Sequence, residues 1–97
     1  MTLADFAAHV HAQIAAVTRC ERMQLFIHIE SGAPYMACEG SDLAQHYTAA
    51  GTHIFVGTYN RQARFQDILA DLLTALDDAG KKRLRSIDLT EVARGVA

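Results

Sequence analysis

Met23-Gln24-Leu25-Phe26-Ile27-His28-Ile29-Glu30 is the stretch whose reading decides the architecture. Met23, Leu25, Ile27 and Ile29 alternate with Gln24, Phe26, His28 and Glu30, and a period of two puts successive side chains on opposite faces of an extended strand. The first set is wholly apolar and predicts a buried face. Ser31-Gly32-Ala33-Pro34 then reads as a turn, and Tyr35 to Glu39 as the returning strand of a hairpin. With an even number of loop residues, antiparallel pairing places Met36 and Cys38 on the buried side and sets Tyr35 and Ala37 beside Phe26 and His28. An odd loop reverses the two faces.

Before the hairpin, Leu3, Phe6, Ala7, Val10, Ile14 and Val17 form the single apolar stripe of a helix over 3–18. Thr2 is placed to cap it, with Asp5 near its positive end. After the hairpin, Ser41 is expected to cap a short helix over 42–50, with Leu43, Tyr47 and Ala50 inward and Gly51 as its left-handed stop. His53 to Tyr59 reads as a third strand, with Ile54, Val56 and Thr58 on one face and His53, Phe55, Gly57 and Tyr59 on the other. Asn60 is expected to cap a second long helix over 61–79, striped with Phe65, Ile68, Leu69, Leu72, Leu73 and Leu76 and ended by Gly80. Residues 83–89 read as either a fourth strand or a loop, and Asp88 with Glu91 resembles the capping box of a short last helix.

The fold class is therefore α+β: one domain over 1–97, with a mostly antiparallel sheet of three or four strands. The order is α-β-β-(short α)-β-α plus a basic C-terminal segment. Both long helices carry one apolar stripe, so both are expected on one face of the sheet. The opposite face is then left uncovered within the monomer.

Composition agrees and adds limits. With 97 residues there is room for one domain. A 51% hydrophobic content excludes a disordered chain. No run approaches the roughly 20 apolar residues that cross a bilayer, and the basic start of a secretion signal is missing, so neither membrane nor export is expected. Seventeen of the apolar residues are alanines, which leaves a modest core and favours a homodimer or a partner-bound subunit. Cys20 and Cys38 are too few for a secreted disulfide scaffold and read as reduced cytoplasmic thiols, with one structural disulfide as the alternative. Residues 1–79 hold four basic and nine acidic side chains, a net of −5, whereas 80–97 hold five and two, a net of +3. A mildly acidic body with a basic end is unlike the broad basic face of a nucleic-acid binder.

The uncovered sheet face supplies the candidate interface: Phe26, His28, Tyr35, Phe55 and Tyr59, with His53 and Glu30 at its margin. Two surface features accompany it. Asp67, Asp71 and Asp78 form an acidic face on the second long helix, opposite its leucines. Lys81, Lys82, Arg83 and Arg85 form a basic cluster beyond it. The five histidines show no metal-ligand spacing: His9 and His11 are two apart on a helix and diverge. The topology allows Cys38, His46 and His53 to converge where the hairpin, short helix and third strand meet, with Glu39 nearby, as a Cys/His site without a recognisable motif. No catalytic motif, cofactor or metal is expected.

The reading that follows is a small cytoplasmic interaction or regulatory protein, homodimeric, binding through its aromatic sheet face. One alternative is a nucleic-acid-binding module using Arg61, Arg64 and the 81–85 cluster. The helix-strand-strand-strand-helix order is similar to that of double-stranded-RNA-binding domains. Those need lysines at the start of the second long helix, where this chain has two arginines before a run of aspartates. Another alternative is a small enzyme or ligand-binding protein using Cys38 with a histidine.

Overall fold

The computed structural model describes residues 2–76. They run α1 (Leu3–Ala16), β1 (Met23–His28), β2 (Pro34–Cys38), α2 (Asp42–Ala50), β3 (His53–Tyr59) and α3 (Phe65–Ala75). This is the expected α+β order, built on a sheet ordered β2-β1-β3 in which β1 pairs antiparallel with both neighbours. Asp78, the cluster Lys81, Lys82, Arg83 and Arg85, and the proposed fourth strand and last helix lie outside the described residues.

The hairpin takes the even loop. Ile27 pairs with Pro34, leaving 28–33 between them, and this register sets Leu25 beside Met36 and Met23 beside Cys38. Phe26 beside Tyr35 and Gln24 beside Ala37 make the opposite face. α1 starts as its local chemistry requires, with the Asp5 N–H donating to Thr2 Oγ1 at 3.0 Å. Leu3, Phe6, Val10 and Ile14 of α1 meet Met23, Leu25 and Ile27 of β1 and Ile68 and Leu72 of α3 in one buried cluster. Each such side chain removed from water is worth roughly 1.5–3 kcal/mol, so this layer is the main source of stability.

α3 begins later than its sequence suggests. Asn60 Oδ1 accepts the Gln62 N–H at 2.9 Å, and the Asn60 carbonyl accepts the Ala63 N–H at 3.1 Å. The short amide captures its own backbone two residues on, which builds a turn in place of a helix start. The helix opens at Phe65 behind an extended Arg64 that gives no side-chain cap.

β3 differs in a more consequential way. Tyr59 stands opposite Met23 and Gly57 opposite Leu25, but Phe55 stands opposite Phe26, so Val56 is an extra residue and the strand is bulged. Upstream of the bulge, His53 and Phe55 share the face of His28 and Phe26. Downstream the faces exchange. Tyr59 turns to the helix side and is 6% exposed, while Thr58 pairs with Gln24 on the other side. Its phenol donates to Asp71 Oδ2 at 2.7 Å. Gly57 is needed for this approach: a Cβ there would lie 2.5 Å from the Tyr59 hydroxyl and 3.1 Å from Asp71 Oδ2.

The sheet face expected to be open is covered by α2. β2 and β3 are both antiparallel to β1 and hence parallel to each other, so α2 is a crossover that must pass over β1. α1 and α3 occupy one side, and α2 takes the other. Phe26 is 0% exposed beneath it. The helix is also rotated from the expected setting. Ala44 is buried and Tyr47 half-buried, whereas Leu43 and Ala50 face outward.

Cys20 and Cys38 are joined as a disulfide with their Cα atoms 6.0 Å apart. The expectation of two reduced thiols is corrected on that point. The segment entering β1 runs beside the end of β2, where Met23 pairs with Cys38, and this brings Cys20 within bonding reach. Closing a loop of sequence separation 18 restricts the unfolded chain by an amount worth about 3 kcal/mol. The double change Cys20→Ser and Cys38→Ser is expected to lower the urea midpoint by that loss of stability, and reductant should do the same to the unaltered protein. Equal midpoints with and without reductant would show that the bridge contributes nothing.

Candidate functional site

The covered face is a continuous set of rings. Phe26 lies at its floor, with its ring centre 5.6 Å from Phe55 on β3 and 5.4 Å from Tyr47 of α2. Towards the end of β1, His28 lies 6.0 Å from Tyr35 and 5.1 Å from His53, and Tyr35 lies 5.1 Å from His53. Most of these contacts are edge-on or steeply tilted. Tyr47 over His53 is flatter, at 4.6 Å and 33°. His46 adds a further ring 6.0 Å from Tyr47.

Four of the five expected interface residues are thus brought together: Phe26, His28, Tyr35 and Phe55. Tyr59 is not among them, because the bulge sends it into the core. His53, placed at the margin by sequence, is central. Tyr47 is inward as its sequence position suggests, and it joins this face because the crossover carries α2 over β1, which helical periodicity alone does not show.

Two histidines are held by local partners. The Ser31 N–H donates to His28 Nδ1 at 3.2 Å, with Ser31 Oγ 2.8 Å from the same nitrogen. Nδ1 therefore acts as an acceptor, and the neutral ring carries its proton on Nε2. His53 Nδ1 lies 2.9 Å from Thr52 Oγ1. Burial, then the neighbouring charges of His28 and His46, hold His53 below the ordinary histidine range. Two protonated imidazoles 5.1 Å apart repel by roughly 1 kcal/mol once solvent screening is counted.

The ring spacing of His28 and His53 would suit two ligands of one tetrahedral ion, but the His28 tautomer presents a donor where a metal needs a lone pair. No group of three or more His, Cys, Asp or Glu among the described residues is arranged to hold a metal ion. The convergence of Cys38, His46 and His53 does not form a site, since the Cys38 sulfur is bonded to Cys20. The same bond removes Cys38 as a nucleophile.

The acidic face divides. Asp71 is half-buried and accepts from Tyr59, whose phenol is held well above the ordinary tyrosine range by burial first and by Asp71 second. Asp67 remains exposed. Arg22, which precedes the hairpin, stands 3.6 Å from Glu39 in an exposed ion pair. Phe26 is sealed beneath α2, and most of the rings around it meet edge-on or tilted, an arrangement unlike a row of parallel stacking platforms.

No protein-family model, characterised protein or solved structure matches this chain. The functional argument therefore rests on the geometry of this face. Three of the chain's large apolar side chains remain exposed among the described residues: Phe55 at 49%, Leu43 at 47% and Tyr35 at 38%. Phe55 and Tyr35 belong to the outer face, and Leu43 lies one turn before Tyr47 on the same side of α2.

Floor and cover should respond differently to truncation. Phe26→Ala removes a fully buried ring and should lower unfolding free energy by about 3–4 kcal/mol. Tyr47→Ala removes a half-exposed ring and should lower it by about 1–2 kcal/mol, while raising the solvent accessibility of Phe26. Chemical denaturation of both variants measures the difference, and a Tyr47→Ala loss as large as that of Phe26→Ala would contradict this arrangement.

Proposed function

We propose that this protein acts by binding another protein chain, in the first place a second copy of itself, through the rim of the outer sheet face. The observation that carries the reading is Phe55. It is half exposed while touching the fully buried Phe26, so the apolar face continues outward beyond its cover. Leu43 and Tyr35 extend the same apolar character over α2 and β2. Aromatic side chains beside a packed floor are typical anchors of protein interfaces, because their burial gives a large gain for little lost conformational freedom. A regulatory role through such contacts fits a chain in which the candidate nucleophile Cys38 is tied up in a disulfide.

The cytoplasmic expectation rests on the missing secretion signal and on reading both cysteines as reduced thiols. No helix of the described residues is long and apolar enough to cross a membrane, and a paired Cys20 and Cys38 suits an oxidising compartment. Trapping thiols at lysis decides between the two locations.

Sedimentation at about 10–100 μM should give a dimer. The double variant Phe55→Ser, Leu43→Ser should sediment as a folded monomer with an unchanged far-ultraviolet spectrum. A wild-type monomer across that range would remove self-association from the proposal.

A further inference from the structure

Three of the five histidines gather where α2 meets the sheet: His28 at the end of β1, His53 at the start of β3 and His46 on α2 itself. α2 is held there by few side chains. Ala44 is buried, Tyr47 is half-buried, and every other residue of the helix is exposed. Tyr47 rests on Phe26, Tyr35 and, most closely, His53. Gly40 and Gly51 flank the helix, both in the left-handed region with φ of +78° and +71° and with open space around them. The N-terminal end is anchored, since the Ser41 N–H donates to the Cys38 carbonyl at 3.0 Å and Cys38 is cross-linked to Cys20. The C-terminal end leads directly into the histidine pair.

We propose that α2 is a proton-responsive cover, which loosens from the sheet when the histidine cluster beneath its C-terminal end takes up charge in mild acid and so uncovers Phe26 and Ala37. It depends on the interaction reading only for what the uncovered face would bind; the loosening is a property of the free protein.

The charge balance around His53 supports this direction. From β1 it faces His28, from β2 the Tyr35 ring, and from α2 the rings of His46 and Tyr47. None of these is an anion. Glu30 borders the same depression as His28 and Thr52, and it is exposed to solvent. The tyrosine faces and the C-terminal end of α2 attract an imidazolium. Opposing them are the loss of hydration at His53 and two like-charged neighbours. His53 is held below the ordinary histidine range, so that opposition dominates. The sign follows: the helix-seated form takes up fewer protons than the loosened one, so seating is fully favoured above the ordinary histidine range and weakens as pH falls through it. The part that yields is the one with the lightest packing, because Phe26 and Ala37 lie outside the main buried cluster.

Amide hydrogen exchange tests this, converted to protection factors at pH 7.5 and 5.0 and run at a concentration where sedimentation shows one species at both. Residues 42–50 should lose protection by roughly five- to tenfold at the lower pH, with α1 and α3 unchanged. In His53→Gln the loss should largely disappear, and His28→Gln, which takes away one of its charged neighbours, should reduce it. That pattern sustains the proposal whether the protein sediments as monomer or dimer, so failure of the interaction reading leaves it standing. Constant α2 protection would overturn it. So would a parallel loss in α1 and α3, or an undiminished response in a variant carrying both substitutions.

Discussion

The crossover between β2 and β3 is the constraint on which the outer half of the molecule depends. β1 is the central strand, and its two neighbours both run opposite to it. A hairpin satisfies one neighbour with a short turn, but the other can be reached only by a connection that passes over β1. With α1 and α3 already filling one side, the connecting helix has one place to go. Every feature of the ring cluster follows from that. Phe26 is buried because α2 crosses above it. Tyr47 meets His53 because the helix descends into β3. The histidines gather because the end of β1 and the start of β3 are cross-strand partners at exactly one point of the register, His28 beside His53.

The two sides of the sheet are covered on unequal terms. On the helix-pair side, leucine and isoleucine from three elements interdigitate with nothing exposed among the central residues. On the other side α2 contributes one alanine and part of one tyrosine. A cover of this kind lowers the cost of Phe26 without sealing the edge of the apolar face, which is why Phe55 stays half exposed. The asymmetry also separates stability from recognition: a change at the half-exposed Phe55 or Leu43 removes less buried area than a change at the fully buried Leu25 or Ile68.

Much of this was legible in the residues. Alternation in 23–30 fixed the faces of β1, and the caps Thr2, Ser41 and Gly51 act where their chemistry places them. What alternation cannot carry is an insertion of one residue. Val56 breaks the phase of β3, and a period-two reading continued through it assigns Tyr59 to the wrong face. Gly57 was the available signal, since glycine inside a strand often marks a bulge or a close approach, and here it marks both. Asn60 misled for a related reason: the same side chain serves a helix cap or a turn, and the choice is made by residues beyond its reach. The Cys20–Cys38 pairing needs the three-dimensional neighbourhood of β1 and β2, which no spacing of two cysteines supplies.

The bulge and the crossover also divide the polar groups into two kinds. Downstream of Val56 the strand turns a phenol inward, and the Asp71 carboxylate from α3 meets it, so a polar pair is fixed within the packed layer. Upstream, the strand turns His53 outward, where the ring neighbours among the described residues are imidazoles and tyrosine faces. A Tyr–Asp contact has one stable protonation state across the neutral range, since burial and the adjacent anion both keep the phenol's proton in place. Clustered imidazoles have several, and the population of each depends on how many protons the solvent supplies. One strand therefore places an insensitive polar contact where the fold needs permanence and a titratable one where the fold is thinnest. Three of the five histidines, which read from the sequence as a surplus without a motif, lie at the seam where the sheet is most lightly covered.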